Sequence, residues 1–335
     1  MKKNATRYLE SGSQNPAYNL AFEEYILKHR CEGDYLLLWQ NDNTIVVGQN
    51  QNTEAEINRA FVEANAINVI RRVTGGGAVY HDLGNLNYSF ITDAGASDQI
   101  ALSRFTAPVV SALKELGVDA EASGRNDILA GGKKCSGTAQ RLFENRILHH
   151  GTLLFDANLG MAAQALNVDP AKFQSKSAQS VRSRIGNIRE LLPKDMTLPA
   201  FWDYLKRVLA GSGLIQDTLS PQELDEIEKL KIAKYDTWEW VYGRSPKYDM
   251  TNKCKWAGGL IEARIAVEKG CIADLIFYGD FLSVDSMDEV VAALRGCPFR
   301  REDVADVLRK FDLPRYFGTI TLDEILNTMF NLGNP

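Results

Sequence analysis

The apolar positions of this chain change period several times, and each change predicts an element. Asn15 followed by Pro16 is an N-cap with proline at the first helical position. From there Tyr18, Ala21, Phe22, Tyr25 and Ile26 recur three or four residues apart, which predicts a helix with one buried face. The apolar runs at 35–39 and 44–47 are short and read as strands. Thr53 with Glu56 reads as a capping box opening a helix to about Asn65. A strand at 67–70 runs into Arg71-Arg72-Val73-Thr74-Gly75-Gly76-Gly77. After that loop Leu86, Tyr88 and Phe90 alternate with Asn85, Asn87 and Ser89, the pattern of a half-buried strand.

Phe105, Val109, Ala112, Leu113 and Leu116 predict a helix that stops at Gly117. Strands at 127–130 and 133–139 flank Gly131-Gly132, and 147–155 is a further strand. Ser220, Pro221 and Glu223 start another capped helix. Strands mostly follow one another through short links instead of forming regular β-α-β units. That favours an α+β domain with antiparallel or mixed sheets. The polar stretch 243–252 marks a boundary and divides the chain into 1–246 and 247–335. Beyond it, 259–268 and 271–278 read as a hairpin turning at Lys269-Gly270, and capped helices follow, the first opening at Ser286 with Glu289 three residues on. This is a small α/β module.

Composition narrows the function. The chain has 335 residues with a net charge of −5, so it lacks the basic excess that coating nucleic acid requires. No apolar run approaches the roughly 18 residues of a membrane span. Residues 1–10 carry no apolar leader core, and the cytoplasm is the expected compartment. Cys31, Cys135, Cys254, Cys271 and Cys297 form no C-x-x-C pair and are odd in number, so reduced thiols are expected instead of a zinc knuckle or a disulfide framework.

Three segments carry chemistry. Three consecutive glycines at a strand end, with Arg72 before them and His81 and Asp82 after, suit a nest of backbone N–H groups around an anion; a tight hairpin turn is the plain alternative. In the second segment, Gly124-Arg125-Asn126-Asp127 is followed by Gly131-Gly132-Lys133-Lys134-Cys135-Ser136-Gly137-Thr138-Ala139. Here a lysine among small residues can neutralise developing negative charge, although a Lys-Lys pair is commonly just solvated. The third is His149-His150-Gly151-Thr152, where two adjacent histidines on a strand point to opposite faces and cannot share a metal without distortion.

Together, and in this order, these segments resemble the lipoate–protein ligase A family. So do Asn19-Leu-Ala-Phe-Glu23-Glu24, Ser180-Val-Arg-Ser-Arg184, Trp238-Glu-Trp240, Trp256-Ala-Gly-Gly259 and Val267-Glu-Lys-Gly270. The resemblance implies a large biotin/lipoyl-protein-ligase-like domain and a small C-terminal accessory domain. It implies that lipoate is activated with ATP to lipoyl-adenylate, with release of pyrophosphate. The lipoyl group then passes to a lysine of an apo acceptor, an E2 domain of a 2-oxoacid dehydrogenase or the glycine cleavage H protein. By family match Lys134 is the catalytic lysine. Arg72, Gly77, Ala78, Val79, Tyr80, Asn85, Asn126 and Asp127 are the nucleotide side, with Asp127 a ligand for Mg2+. Glu23, Trp39, Arg72, His81, Lys134, Gly137, Ala139, Leu148 and His150 are the lipoate side.

Two further readings follow, and a third, a biotin-type ligase, that the loop sequence speaks against. Cys135, beside the lysine, would suit an ATP-independent octanoyl or lipoyl transferase that carries the acyl group on a thiol. On a regular strand, however, it points away from the face that Lys134 occupies. A non-catalytic lipoate-binding protein is the other, with no reason to keep Lys134, Arg72 and Asp127 together. A biotin-type ligase would carry a glycine–arginine-rich loop where Arg72-Val-Thr-Gly-Gly-Gly stands.

Overall fold

The computed structural model describes residues 5–94, 102–124, 126–166, 184–242, 250–268 and 270–330. Its strands, in chain order, begin with β1 (Thr6–Glu10), β2 (Asp34–Trp39), β3 (Thr44–Val47), β4 (Asn68–Arg71), β5 (Val79–His81) and β6 (Asn85–Asp93). They continue with β7 (Ala120–Ser123), β8 (Asp127–Ala130), β9 (Lys133–Phe143), β10 (Arg146–Leu154) and β11 (Ile215–Gln216). The last three are β12 (Met250–Trp256), β13 (Gly259–Glu268) and β14 (Cys271–Gly279). The main sheet has the order β11-β1-β2-β6-β10-β9-β8-β7, parallel at β11-β1-β2 and antiparallel in every other pair. A small sheet, β4-β3-β5, lies beside it, and β12-β13-β14 forms a third. The chain is thus α+β with mixed sheets.

The unbroken apolar run of β2 reflects its place between β1 and β6, covered on both faces. Leu36 and Leu38 join the core under helices Leu102–Glu115 and Leu198–Ala210. Leu37 and Trp39 join the core under helix Pro16–His29. That helix starts as its sequence predicts, with Asn15 Oδ1 accepting from the Tyr18 N–H. It buries far more than one stripe, however, and Asn19, Glu23 and Glu24 are as enclosed as Phe22.

Three local expectations give way to tertiary contacts. Strand β6 is buried on both faces: Asn85, Asn87 and Ser89 are enclosed instead of facing solvent. The helix expected from Thr53 to about Asn65 is two short helices, Thr53–Glu56 and Arg59–Ala64, broken where Ile57 extends to bridge Leu166. Thr53 does not cap. Its hydroxyl donates to Val241 O and accepts from Arg71 Nη2, while Asn58 restarts the helix. Ser286 also precedes the cap position, Met287, and Glu289 accepts from the Tyr316 hydroxyl. By contrast, Ser220 and Glu223 form the full capping box.

Residues 250–330 build their own core. Ile261, Ala263, Ile265 and Phe277 of the antiparallel sheet pack on Leu294, Leu308, Phe317 and Ile325 of the helices. The β13-β14 hairpin turns through Gly270 at φ +79°. Lys269, the proposed boundary at 246/247, Arg125 and the segment 180–183 lie outside the described residues. Among the described residues no helix is long and apolar enough to cross a membrane.

Candidate active site

Four strands and one loop bring the chemistry together. Strands β9 and β10 supply Lys134, Gly137, Ala139 and His150. The loop after β4 supplies Arg72 and Gly77. Strands β2 and β5 supply Trp39 and His81. All of these line one cavity, with Ala78, Val79 and Asn126.

A β-bulge places the lysine. In a regular strand Lys134 and Gly137 would face opposite ways. The β8-β9 register shifts between Ile128 and Leu129, so that Ile128 pairs Ser136 while Leu129 pairs Lys134. The extra residue, Cys135, is absorbed into the core and Lys134 is re-aimed. The lysine runs over Gly137, where an added Cβ would sit 3.2 Å from Nζ. It ends 2.7 Å from Asp127 Oδ1, whose own partner across the ladder is Gly137. Cys135 is fully buried, its Sγ donates to Ile128 O, and burial pushes the thiol up to about 12. It has none of the exposure an acyl-carrying thiolate needs.

Arg72 is held in the wall by carbonyls. Its nitrogens donate to Val46 O, Gly75 O and Gly77 O and to Thr74 Oγ1. Burial lowers its pKa to about 10, so it remains a cation at neutral pH. The next residue back, Arg71, faces the scaffold and donates to the carbonyls of Gly48, Gln49, Gln51, Trp240 and Val241. Adjacent arginines on a strand alternate faces, so one charge goes to the cavity and the other to the frame.

A polar chain runs along the wall. Trp39 Nε1 donates to Ser89 Oγ (2.9 Å), and the Ser89 hydroxyl donates to Glu23 Oε1 (2.5 Å). Both Glu23 oxygens lie 2.9 Å from His150 Nδ1, and His150 Nε2 lies 2.8 Å from Thr74 Oγ1. Buried polar groups are retained at low cost only when partnered, and here each holds the next. The network fixes the rotamers of Trp39 and His150 and leaves their rings to contact a guest.

His81 is different. Asn19 Nδ2 donates to Asn41 Oδ1, so the Asn41 amide nitrogen faces His81 Nδ1 and donates to it. The ring proton then sits on Nε2, which is buried without a partner among the described residues. Burial, with Arg72 and His150 nearby, pushes this histidine down to about 3. His81 is therefore a neutral donor at the cavity wall. Its neighbour in type, His149, goes to the opposite face, stacks on Phe105 and is pushed by burial to about 3.

Not every residue expected at the site borders the cavity. Leu148 is fully buried among Leu37, Val46 and Ile91 and is not among the residues that line this cavity. Asn85 stands behind Asn87, donating to its Oδ1, and Asn87 lines the cavity in its place. Tyr80 sends its hydroxyl to Asn43. Glu23 acts through His150 and Ser89. Asp127 is the carboxylate beside Lys134. Among the described residues no group of three potential ligands could cage a metal. A single carboxylate fits magnesium whose other ligands are water and phosphate oxygens. Thr74, Asn87, Ser89 and Asn41 were not singled out from the sequence. The signal was present for two of them, as polar residues at every second position of β6.

Comparisons with known proteins place the chain in a family. Residues 15–210 match the lipoyl protein ligase A/B catalytic domain, and 245–329 match the bacterial lipoate protein ligase C-terminus. The chain is 42% identical over 321 residues to lipoate-protein ligase LplJ of Bacillus subtilis, covering 94% of this chain and 97% of that one. It superposes on the lipoate complex of LipL1 from P. falciparum with a TM-score of 0.78 at 25% identity, covering 98% and 99% of the two chains. A lipoate-protein ligase A bound with ATP gives a TM-score of 0.62 at 28% identity, covering 72% of this chain and 99% of that one. The bipartite ligase of Thermoplasma acidophilum, studied with its E2 lipoyl domain, gives 0.62 at 29%, covering 75% and 100%. With a catalytic-domain match over more than half its length and a relative of this identity matched nearly end to end, the chain belongs to the lipoate–protein ligase family.

Proposed function

We propose that this ligase activates lipoate with ATP as lipoyl-adenylate and then transfers the lipoyl group to a lysine of an apo acceptor domain. The observation that carries the reading is one cavity holding two cations, Arg72 and Lys134, a glycine loop, and the wall of Trp39, Leu20 and Ala139. A carboxylate attacking the α-phosphorus is an anion meeting an anion, so the site must supply positive charge before the bond forms. Lys134 supplies it at the reacting oxygens as an electrostatic catalyst. The bond to the phosphorus forms as the bond to pyrophosphate breaks. In the second step the acceptor amine attacks the acyl carbon and AMP leaves with the anhydride oxygen.

The apolar part of the wall suits the lipoyl chain, and His81 Nε2–H and Asn87 supply neutral polar contacts. Asp127 is the carboxylate that would hold magnesium, which would neutralise the polyphosphate when bound. The acceptors are small protein domains, E2 domains and the glycine cleavage H protein, met through a transient interface. The E2 lipoyl domain named with the Thermoplasma ligase supports the first of these.

The test weighs an apo acceptor domain by intact-mass spectrometry after incubation with the protein, lipoate, ATP and magnesium, beside an arm without ATP. A lipoyl mass gain that requires ATP is expected. A gain without ATP from a lipoylated donor would overturn the activation step.

A further inference from the structure

Three consecutive glycines have little conformational preference of their own, so the shape of residues 75–77 must be imposed by neighbours. From below it is imposed by the loop 48–51. Gly48 lies against the glycine loop so closely that an added Cβ would sit 2.0 Å from Gly76 O. Gln49 N–H donates to Thr74 O, and Gln51 Oε1 accepts from Gly48 N–H. Arg71 pins this loop through the carbonyls of Gly48, Gln49 and Gln51.

From above, the shape is imposed by the second domain. Gly76 N–H donates to Phe281 O (3.3 Å), and a Cβ on Gly75 would meet Phe281 O and Ser283 N at 2.8 Å. The two restraints are tied to each other through one residue. Asn50 accepts from Gly279 N–H at its carbonyl (2.6 Å) and donates from Nδ2 to Ser283 Oγ (3.0 Å), and both side chains are buried.

We propose that Asn50 and Ser283 are positioning residues for the nucleotide side of the site: their hydrogen bond across the domain junction clamps the loop 75–77 in its anion-binding shape. Neither residue lines the cavity, and both act through the loop. The inference rests on the ATP-dependent reading above, and the assay separates the two.

Lipoate-dependent exchange of pyrophosphate into ATP is measured for the full chain, for Asn50→Ala, for Ser283→Ala and for the double variant, with thermal unfolding alongside. Each single change is expected to raise KM for ATP about fivefold, in line with one lost hydrogen bond, while kcat and KM for lipoate stay within about twofold. The double variant should be no worse than the worse single, because both remove the same clamp. Absence of exchange in the parent protein would fail the activation reading itself. With exchange intact in the parent, an unchanged KM for ATP in Ser283→Ala overturns the clamp, as does a double variant whose effects multiply. If Asn50→Ala fails to fold, Ser283→Ala and Ser283→Cys carry the same test. Lowered thermal stability at wild-type KM would reduce the bond to mere domain adhesion and overturn the proposal equally.

Discussion

Lys134 is a third exposed and, among the described residues, pairs with Asp127 at a partly exposed site, so its value to folding is small. Replacement by alanine should cost no more than about 0.5 kcal/mol of stability while lowering pyrophosphate exchange by on the order of 100-fold or more. Comparing circular dichroism and exchange rate checks both halves, and retained turnover would remove the lysine from the mechanism. Cys135 should behave in the opposite way. Cys135→Ala leaves a small cavity under β8, costing about 1 kcal/mol, with activity retained. Loss of activity in a stable Cys135→Ala variant would reopen the thiol pathway. That Lys134, and not Lys133, lines the cavity was legible in the sequence through the family match. The reason for it was not, because the bulge depends on how β9 pairs with β8 and pairing is a long-range fact.

The site's supports are spread over helix Pro16–His29, β6 and β10, and they couple through Glu23. Glu23→Ala removes the shared acceptor of the Ser89 hydroxyl and His150 Nδ1 and leaves those two buried donors without it, a loss of about 1–3 kcal/mol. It should also free the Trp39 ring, so KM for lipoate should rise more than KM for ATP; steady-state kinetics with each substrate varied would show the asymmetry or deny it. Gly48→Ala should do the reverse. Its Cβ cannot coexist with Gly76 O at 2.0 Å, so the glycine loop must move and ATP binding should suffer first. Element types were readable from period and caps along most of the chain. The errors cluster where polar residues serve the site: Asn85, Asn87 and Ser89 read as a solvent face because alternation alone cannot distinguish water from a buried polar cavity. Thr53 read as a cap because its real partners, Arg71 and Val241, are distant in sequence.

Across the whole molecule, acid should act unevenly. All four histidines precede residue 151, and two of them, His81 and His149, are buried neutral, burial pushing each from the ordinary 6.5 down to about 3. Below pH 6.5 the unfolded chain takes up protons that the folded chain refuses, so stability falls as pH falls, by up to about 1.4 kcal/mol per pH unit for each histidine, until about pH 3. Between pH 7 and pH 5 the two together should remove about 4 kcal/mol. Glu24 adds to the same trend at lower pH. Burial alone would raise its pKa, but Lys234, Lys28 and the Tyr235 hydroxyl bring it below the ordinary value, so its contribution is lost on protonation. Residues 250–330 contain no histidine and keep a separate core. Urea unfolding at pH 7, 6 and 5 should therefore show the first part weakening steeply, while Trp256, whose indole donates to Thr328 inside the second core, reports little change. His149→Leu should flatten the slope of the first part by about one histidine's share, whatever it does to absolute stability. A flat profile from pH 7 to 5, or equal weakening of both parts, would mean that these rings are hydrated and charged, and the neutral-donor role given to His81 would go with it.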